Sequence, residues 1–286
     1  MPVVISGDGT RIAYDKVGRG PALVIVDGAL CSRAMGPGKS LAPFLSTHFT
    51  VSTYDRRGRG DSTDTAPYAV DREIEDLDAV IAEAGGSAYV FGLSSGAALA
   101  LEAAARGSAI TKLALYEAPF IVDDSRAPVP DDIVLKFQKL LADDRRGDAV
   151  RLFMRQVGAP RLIISLMRLL PVWRKLKAVA HTLPYDMTIM AGRQSGMPLA
   201  AGSWAAATMP TLVLVGGKSP AWFHNSMKAL ALALPNARLD VADRQTHMVK
   251  PKLLAPQLTQ FYATSNHAAG SELSASQSRA GQRVSP

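Results

Sequence analysis

The stretch SAYVFGLSSGAALALEAAARG, residues 87–107, decides the fold. Its first part, SAYVFG at 87–92, carries the aromatic and β-branched side chains of a strand, and SSGAALALEAAARG at 94–107 reads as a helix. Between them lies GLSSG at 92–96, a G-x-S-x-G turn centred on Ser94. A serine there suits nucleophilic chemistry for physical reasons. The sharp turn lifts the hydroxyl off the sheet, and Gly92 and Gly96 remove side chains that would collide. The helix start brings N–H groups and the positive end of its dipole near developing negative charge. The plainer alternative is a glycine-softened strand-to-helix turn with incidental serines.

Outward from this turn the chain alternates strands and helices. Val3–Ser6 and Arg11–Val17 flank the turn GDGT as a hairpin, and ALVIVDG at 22–28 is a continuous apolar run of the kind buried on both faces. FTVSTYD at 49–55 is the next strand, followed by the glycine-rich turn RRGRG at 56–60. Ile74, Leu77, Ile81 and Ala84 recur at helical spacing until Gly85-Gly86 stops them. TKLALYE at 111–117 is the sixth strand. From about 120 to 208 there is no strand pattern, only helical pieces separated by prolines. Strands resume with TLVLVGG at 211–217 and ARLDVAD at 237–243, with helices over about 221–233 and 251–263. The expectation is an α/β protein with a mostly parallel eight-stranded sheet flanked by helices. Residues 1–120 and 209–264 make its core and 121–208 a helical insertion after the sixth strand. The Ser-, Ala- and Gly-rich stretch 265–286 reads as a disordered tail.

The 286 residues are 48% hydrophobic and 20% charged, which excludes a disordered or fibrous body. No apolar run reaches the roughly 18 residues of a membrane span, and the first residues lack a basic and then apolar leader, so a cytoplasmic location is expected. Cys31, the one cysteine, forbids an internal disulfide and a cysteine-rich metal site. With no phosphate-binding glycine loop, metal cluster or dinucleotide fingerprint, no cofactor is expected. The net charge of +7 is concentrated: between Arg145 and Lys177 nine basic residues accompany one acid, Asp148. No zinc-finger, RNP or helix-turn-helix signature lies there, so nucleic acid is not an expected partner. The segment also carries Leu152, Ile163, Leu166, Leu169, Leu170 and Trp173. Its simplest reading is a solvated charged face over an apolar underside. Attraction of an anionic substrate or an anionic membrane surface is the alternative.

Serine needs a base. Of five histidines, His247 in DRQTHMVKP lies just past the last strand, where a loop at the carboxyl edge of the sheet returns to the elbow. His48 precedes a strand at the opposite edge, His224 falls in a surface helix, His181 in the insertion and His267 in the tail. A merely structural histidine is the alternative for His247.

With these residues in hand, the chain resembles proteins of the α/β-hydrolase fold from Val3 to about Tyr262. YDRRGRGDS at 54–62 is similar to that family's D-x-R-G-x-G-x-S turn after the fourth strand. VDGAL at 26–30 stands where the family has His-Gly after the third, and the insertion falls where it places a helical cap. The order Ser94, acid, His247 also agrees. Two departures matter. GGKSP at 216–220 puts Ser219 where the family's commonest acid stands, and a serine cannot supply the charge that stabilises imidazolium. Glu117, ending the sixth strand in LALYEAP, is placed as the acid of certain haloalkane dehalogenases is, and the resemblance implies that it orients His247. The other readings are that Glu117 caps the hinge or pairs with an arginine, the acid then being Asp123, Asp124 or Asp243. The second departure is Asp27 beside Gly28, which either structures its loop or disfavours anionic substrates. By position, the oxyanion donors are the N–H groups of Ala29 and Ser95.

A serine nucleophile argues against the alkyl-ester chemistry of dehalogenases and epoxide hydrolases and for acyl transfer. The resemblance thus implies a cofactor-free serine hydrolase acting on a small or medium carboxylic ester or lactone with an apolar moiety. Phe153, Met154, Met167, Trp173, Met187 and Met190 either meet that moiety or pack between helices of the insertion. Two rivals stand beside this reading. One is a non-catalytic ligand-binding protein of the same fold. The other uses the same triad as a perhydrolase or haloperoxidase-like enzyme, or as a carbon–carbon bond hydrolase.

Overall fold

The computed structural model describes residues 1–264, so the tail expected at 265–286 lies outside the described residues. Eight strands form one sheet: β1 (Val3–Ile5), β2 (Arg11–Val17), β3 (Ala22–Val26), β4 (Thr50–Tyr54), β5 (Ala88–Leu93), β6 (Ile110–Tyr116), β7 (Thr211–Gly216) and β8 (Ala237–Ala242). Their spatial order is β1-β2-β4-β3-β5-β6-β7-β8, with β2 antiparallel to both its neighbours, β1 and β4, and the strands from β4 to β8 in that order parallel. The direction of winding reverses at β3, which lies between β4 and β5. In an open α/β sheet such a reversal opens a crevice at the carboxyl ends of the strands. The ends of β3 and β5 carry Gly28 and Ser94.

Strand side chains alternate between two apolar layers, as a pleat buried on both faces requires. Leu23, Ile25, Phe91 and Leu93 face α1 (Pro37–Leu45) and α10 (Pro251–Ala263), while Val24, Val26 and Val90 face α2 (Val70–Glu83), α3 (Ser95–Ala105) and α9 (Ala221–Ala233). In α3 the alanines at 97, 98, 100, 103 and 104 are all buried, so the helix lies close on the sheet with little lateral exposure. Helix α1 is not announced by the sequence pattern. It starts with a proline at its first position, contains Pro43 and buries only Gly38, Leu41, Ala42 and Leu45, which makes its apolar stripe short.

Between β6 and β7 stand α4 (Ile133–Ala142), α5 (Arg146–Gln156), α6 (Arg161–Met167), α7 (Val172–Ala178) and α8 (Leu183–Ile189), with no strand among the described residues of that segment. Helix α8 touches both α2 and α3. Trp173, Met187 and Met190 are buried in the main apolar cluster, and Phe153, Met154 and Met167 pack against it. The expectation of an apolar underside beneath the basic segment is overturned in part. Ile164 and Trp173 are buried, but Ile163, Leu166, Leu169 and Leu170 are exposed. Helix α6 is apolar on nearly every side, and only one side has protein against it.

Candidate active site

Ser94 sits between β5 and α3 with φ 54° and ψ −125°, a conformation unfavourable for a residue with a Cβ. The two flanking glycines make that turn possible. A Cβ on Gly96 would fall 2.2 Å from the Val26 carbonyl oxygen, and one on Gly92 would fall 2.6 Å from Ala97 Cα. The Ser94 N–H donates to the carbonyl of Tyr116 at 2.9 Å, fixing the turn to the neighbouring strand end. The loop after β3 comes equally close, since a methyl on Gly28 would lie 3.0 Å from Ser94 Cβ. Ala29 follows directly in that loop, and Ser95 opens α3 on the other side of Ser94.

Glu117 is fully buried at the end of β6, also at positive φ (48°). Both carboxylate oxygens are engaged. Oε1 accepts the Gly216 N–H at 2.7 Å, and Oε2 lies 2.8 Å from His247 Nδ1. The His247 ring stacks on Phe223 with centroids 4.8 Å apart, and its side chain is 40% exposed. Its loop is braced from both sides. The Tyr116 hydroxyl donates to the Thr246 carbonyl at 2.7 Å, and the buried Gln245 side chain accepts from and donates to the Lys250 backbone. With Nδ1 held by a carboxylate, Nε2 is the nitrogen left to exchange a proton. Among the described residues Ser94 makes no side-chain hydrogen bond.

Among the described residues none of the other candidates pairs with His247. Asp123 accepts from the Ser125 backbone and from Asn225, and Asp124 and Asp243 are exposed. Ser219 is a neighbour of Gly216, Tyr116 and Gln245, but its buried hydroxyl has no partner among the described residues. Asp27 turns to its own loop: its Oδ1 accepts the Gly38 N–H at 2.9 Å in the first turn of α1. Burial pushes its carboxyl up to about 7, against the pull of that hydrogen bond and of Arg59 and Arg56. Loop structuring is therefore the role the geometry gives it.

A group that the sequence reading left out lies directly behind the elbow. Arg56 and Arg59, from the turn after β4, are both buried, and so is Asp186 from α8. Arg56 makes a two-point pair with Glu73 (2.7 and 2.9 Å) and a third bond to Asp186 (2.9 Å). Arg59 reaches both oxygens of Asp186 at 3.0 and 2.9 Å. The cluster also grips the two segments that flank Ser94. Arg59 donates to the Gly28 carbonyl at 2.7 Å, while the Ser95 hydroxyl donates to Asp186 at 2.7 Å. Burial raises the Asp186 carboxyl, yet Arg59, Arg56 and the Ser95 hydroxyl outweigh it and hold it below the ordinary carboxylate range. The clue in the sequence was a single acid in the apolar helix LPYDMTI.

Comparison with known proteins gives the family. The family model described as the α/β hydrolase family matches residues 29–256, most of the chain, and the protein belongs to that family. It is similar to the crystal structure of an α/β hydrolase from Sphaerobacter thermophilus DSM 20745, with 51% identity and a TM-score of 0.84 over 91% of this chain and 100% of that one. Two more distant structures share the fold. An esterase from Exiguobacterium antarcticum has 19% identity and a TM-score of 0.66, covering 92% of this chain and 99% of that one. The enol-lactonase from Burkholderia xenovorans LB400 has 21% identity and a TM-score of 0.65, covering 92% and 100%. Among the described residues no helix is long and apolar enough to cross a membrane, and no group of three or more His, Cys, Asp or Glu side chains is placed to hold a metal ion.

Proposed function

We propose that the protein is a serine hydrolase that cleaves a small or medium carboxylic ester or lactone through an acyl-enzyme on Ser94. The observation that carries this reading is the 2.8 Å contact of a buried carboxylate, Glu117, with His247 Nδ1, beside a serine held at a strained strand-to-helix turn. In the forward step Ser94 Oγ attacks the carbonyl carbon and gives its proton to His247 Nε2. The imidazolium so formed is stabilised by Glu117, whose second oxygen is anchored on the Gly216 N–H. Negative charge on the carbonyl oxygen is taken by the N–H groups of Ala29 and Ser95, the latter at the positive end of α3. Collapse of the tetrahedral species expels the alcohol, which takes the proton from His247. Water then repeats the sequence on the acyl-enzyme and restores Ser94. The fold shared with an esterase and an enol-lactonase supports this class of substrate.

The test is labelling with a fluorophosphonate, with the adduct mapped by mass spectrometry. An adduct on Ser94, lost in Ser94→Ala and strongly slowed in Glu117→Gln, is the expected result. On a responsive ester or lactone, Ser94→Ala lowers turnover by roughly 10,000-fold or more, and Glu117→Gln by a comparable or smaller factor. Folded parent protein that takes no label would sink the proposal and favour a ligand-binding protein. If Glu117→Gln stayed within a few-fold of the parent, the assignment of the acid would be wrong.

A further inference from the structure

The face built by α5, α6 and α7 is unlike the rest of the molecule in two independent ways. The first is charge. Residues 145–177 hold nine basic side chains and one acid, a net +8, whereas the whole chain carries +7. The remainder therefore sums to −1 (7 minus 8), and the entire cationic excess of the protein belongs to this one segment. Arg155, Arg161, Arg168, Arg174, Lys175 and Lys177 are all exposed. The one acid, Asp148, is already shared between Arg145 and Arg151.

The second is apolar exposure. Val157, Leu162, Ile163, Leu166, Leu169 and Leu170 all face water, with Leu162 77% and Leu169 82% exposed. Leu162, Ile163 and Leu166 lie on α6 and Leu169 and Leu170 in the turn directly after it, so they are clustered within nine consecutive positions rather than scattered. Single exposed leucines are ordinary, but a cluster of them marks a contact surface. Beside it an open pocket of about 540 Å³ is lined by Arg145, Arg146, Arg151, Arg168 and Lys177 around Trp173, together with Asp144 and Asp148. Arg168 lines the pocket and stands in sequence between Leu166 and Leu169, so the apolar cluster and the pocket adjoin.

We infer that this face docks on an anionic lipid bilayer, with the leucines of α6 and of the turn after it entering the acyl boundary and the basic pocket receiving a lipid phosphate. The combination selects this occupant. A symmetric contact with a second copy would press two +8 segments together. A nucleic acid would meet the charge but leave the leucines in water, and an uncharged apolar partner would leave the arginines without counter-charge. A bilayer of acidic lipids offers both chemistries in the right order, charge outside and hydrocarbon beneath. The inference does not depend on any chemistry at Ser94.

Co-sedimentation of the full chain with vesicles tests it, using equal parts phosphatidylglycerol and phosphatidylcholine against phosphatidylcholine alone. At low salt the bound fraction on the acidic vesicles is expected to exceed the neutral control by about tenfold or more, and to fall as salt rises. Leu166→Glu with Leu169→Glu, and separately Arg168→Glu with Lys177→Glu, should each reduce partitioning about tenfold or more. Circular dichroism checks that each variant is folded; if the leucine pair disturbs folding, the charge pair and the salt titration of the parent decide. Absence of binding to acidic vesicles would overturn the inference. So would equal partitioning of parent and both folded variants, or a concentration-dependent dimer lost with the leucines while vesicles stay bare.

Discussion

Replacing Asp186 by alanine tests how the helical insertion is joined to the core. In the parent, Asp186 accepts from Arg56, from Arg59 at both oxygens and from the Ser95 hydroxyl. The two arginines do not suffer equally when it goes. Arg56 keeps its two bonds to Glu73. Arg59 pairs with no other carboxylate among the described residues, keeps only the Gly28 carbonyl, and has an Nε already buried without a partner. Its guanidinium becomes a buried charge without compensation, a situation that costs about 3–5 kcal/mol. Urea unfolding followed by far-ultraviolet circular dichroism measures this directly. The companion variant Asp186→Leu with Arg59→Met removes both charges and leaves the Arg56–Glu73 pair intact, so it should recover most of the loss. The reasoning is refuted if Asp186→Ala costs less than about 1 kcal/mol, or if the double variant is as unstable as the two single losses added together.

Two further outcomes concern the same region. Asp27, pushed up to about 7, binds a proton in the folded protein between roughly pH 8 and 5 that the unfolded chain does not take up, so its contribution favours the folded state as pH falls. Asp27→Asn should therefore gain stability over the parent at pH 8 and lose that advantage by pH 5, as read by paired thermal melts; an advantage constant with pH would argue against a buried ionised Asp27. Gly96→Ala drives a methyl to 2.2 Å from the Val26 carbonyl oxygen, against backbone that cannot swing aside. It should cost at least about 3 kcal/mol or prevent folding, and a soluble variant with parental stability would contradict the described elbow.

The strand-helix alternation was legible because buried parallel strands need continuous apolar runs and the connecting helices need a periodic stripe. Each strand boundary moved by only a residue or two, as from 22–28 to Ala22–Val26. The pairing of Glu117 with His247 was legible only through the resemblance to certain haloalkane dehalogenases, which place an acid at that strand end; the fold brings the two side chains to 2.8 Å. The burial of Arg56 and Arg59 was not, because their partner Asp186 stands 130 and 127 residues away and only the folded insertion brings it near. Nor could the sequence tell which side of α6 is covered. Leu162, Ile163, Ile164 and Leu166 are equally apolar, and the neighbours that bury one of them and leave three in water come from elsewhere in the chain.

The ion cluster behind Ser94 also bears on recombination. Inserted helices between β6 and β7 look like a cassette, bounded by two strand ends and open to exchange between relatives. Here one residue of that cassette, Asp186, pairs with arginines of the turn after β4 and holds the hydroxyl next to Ser94. A donor segment without an acid at that point would leave Arg59 a stranded cation, whereas Arg56 would keep Glu73. Successful chimeras should therefore inherit Asp186 and Arg59 together or lack both, so the natural unit of exchange is larger than the insertion and includes the turn after β4.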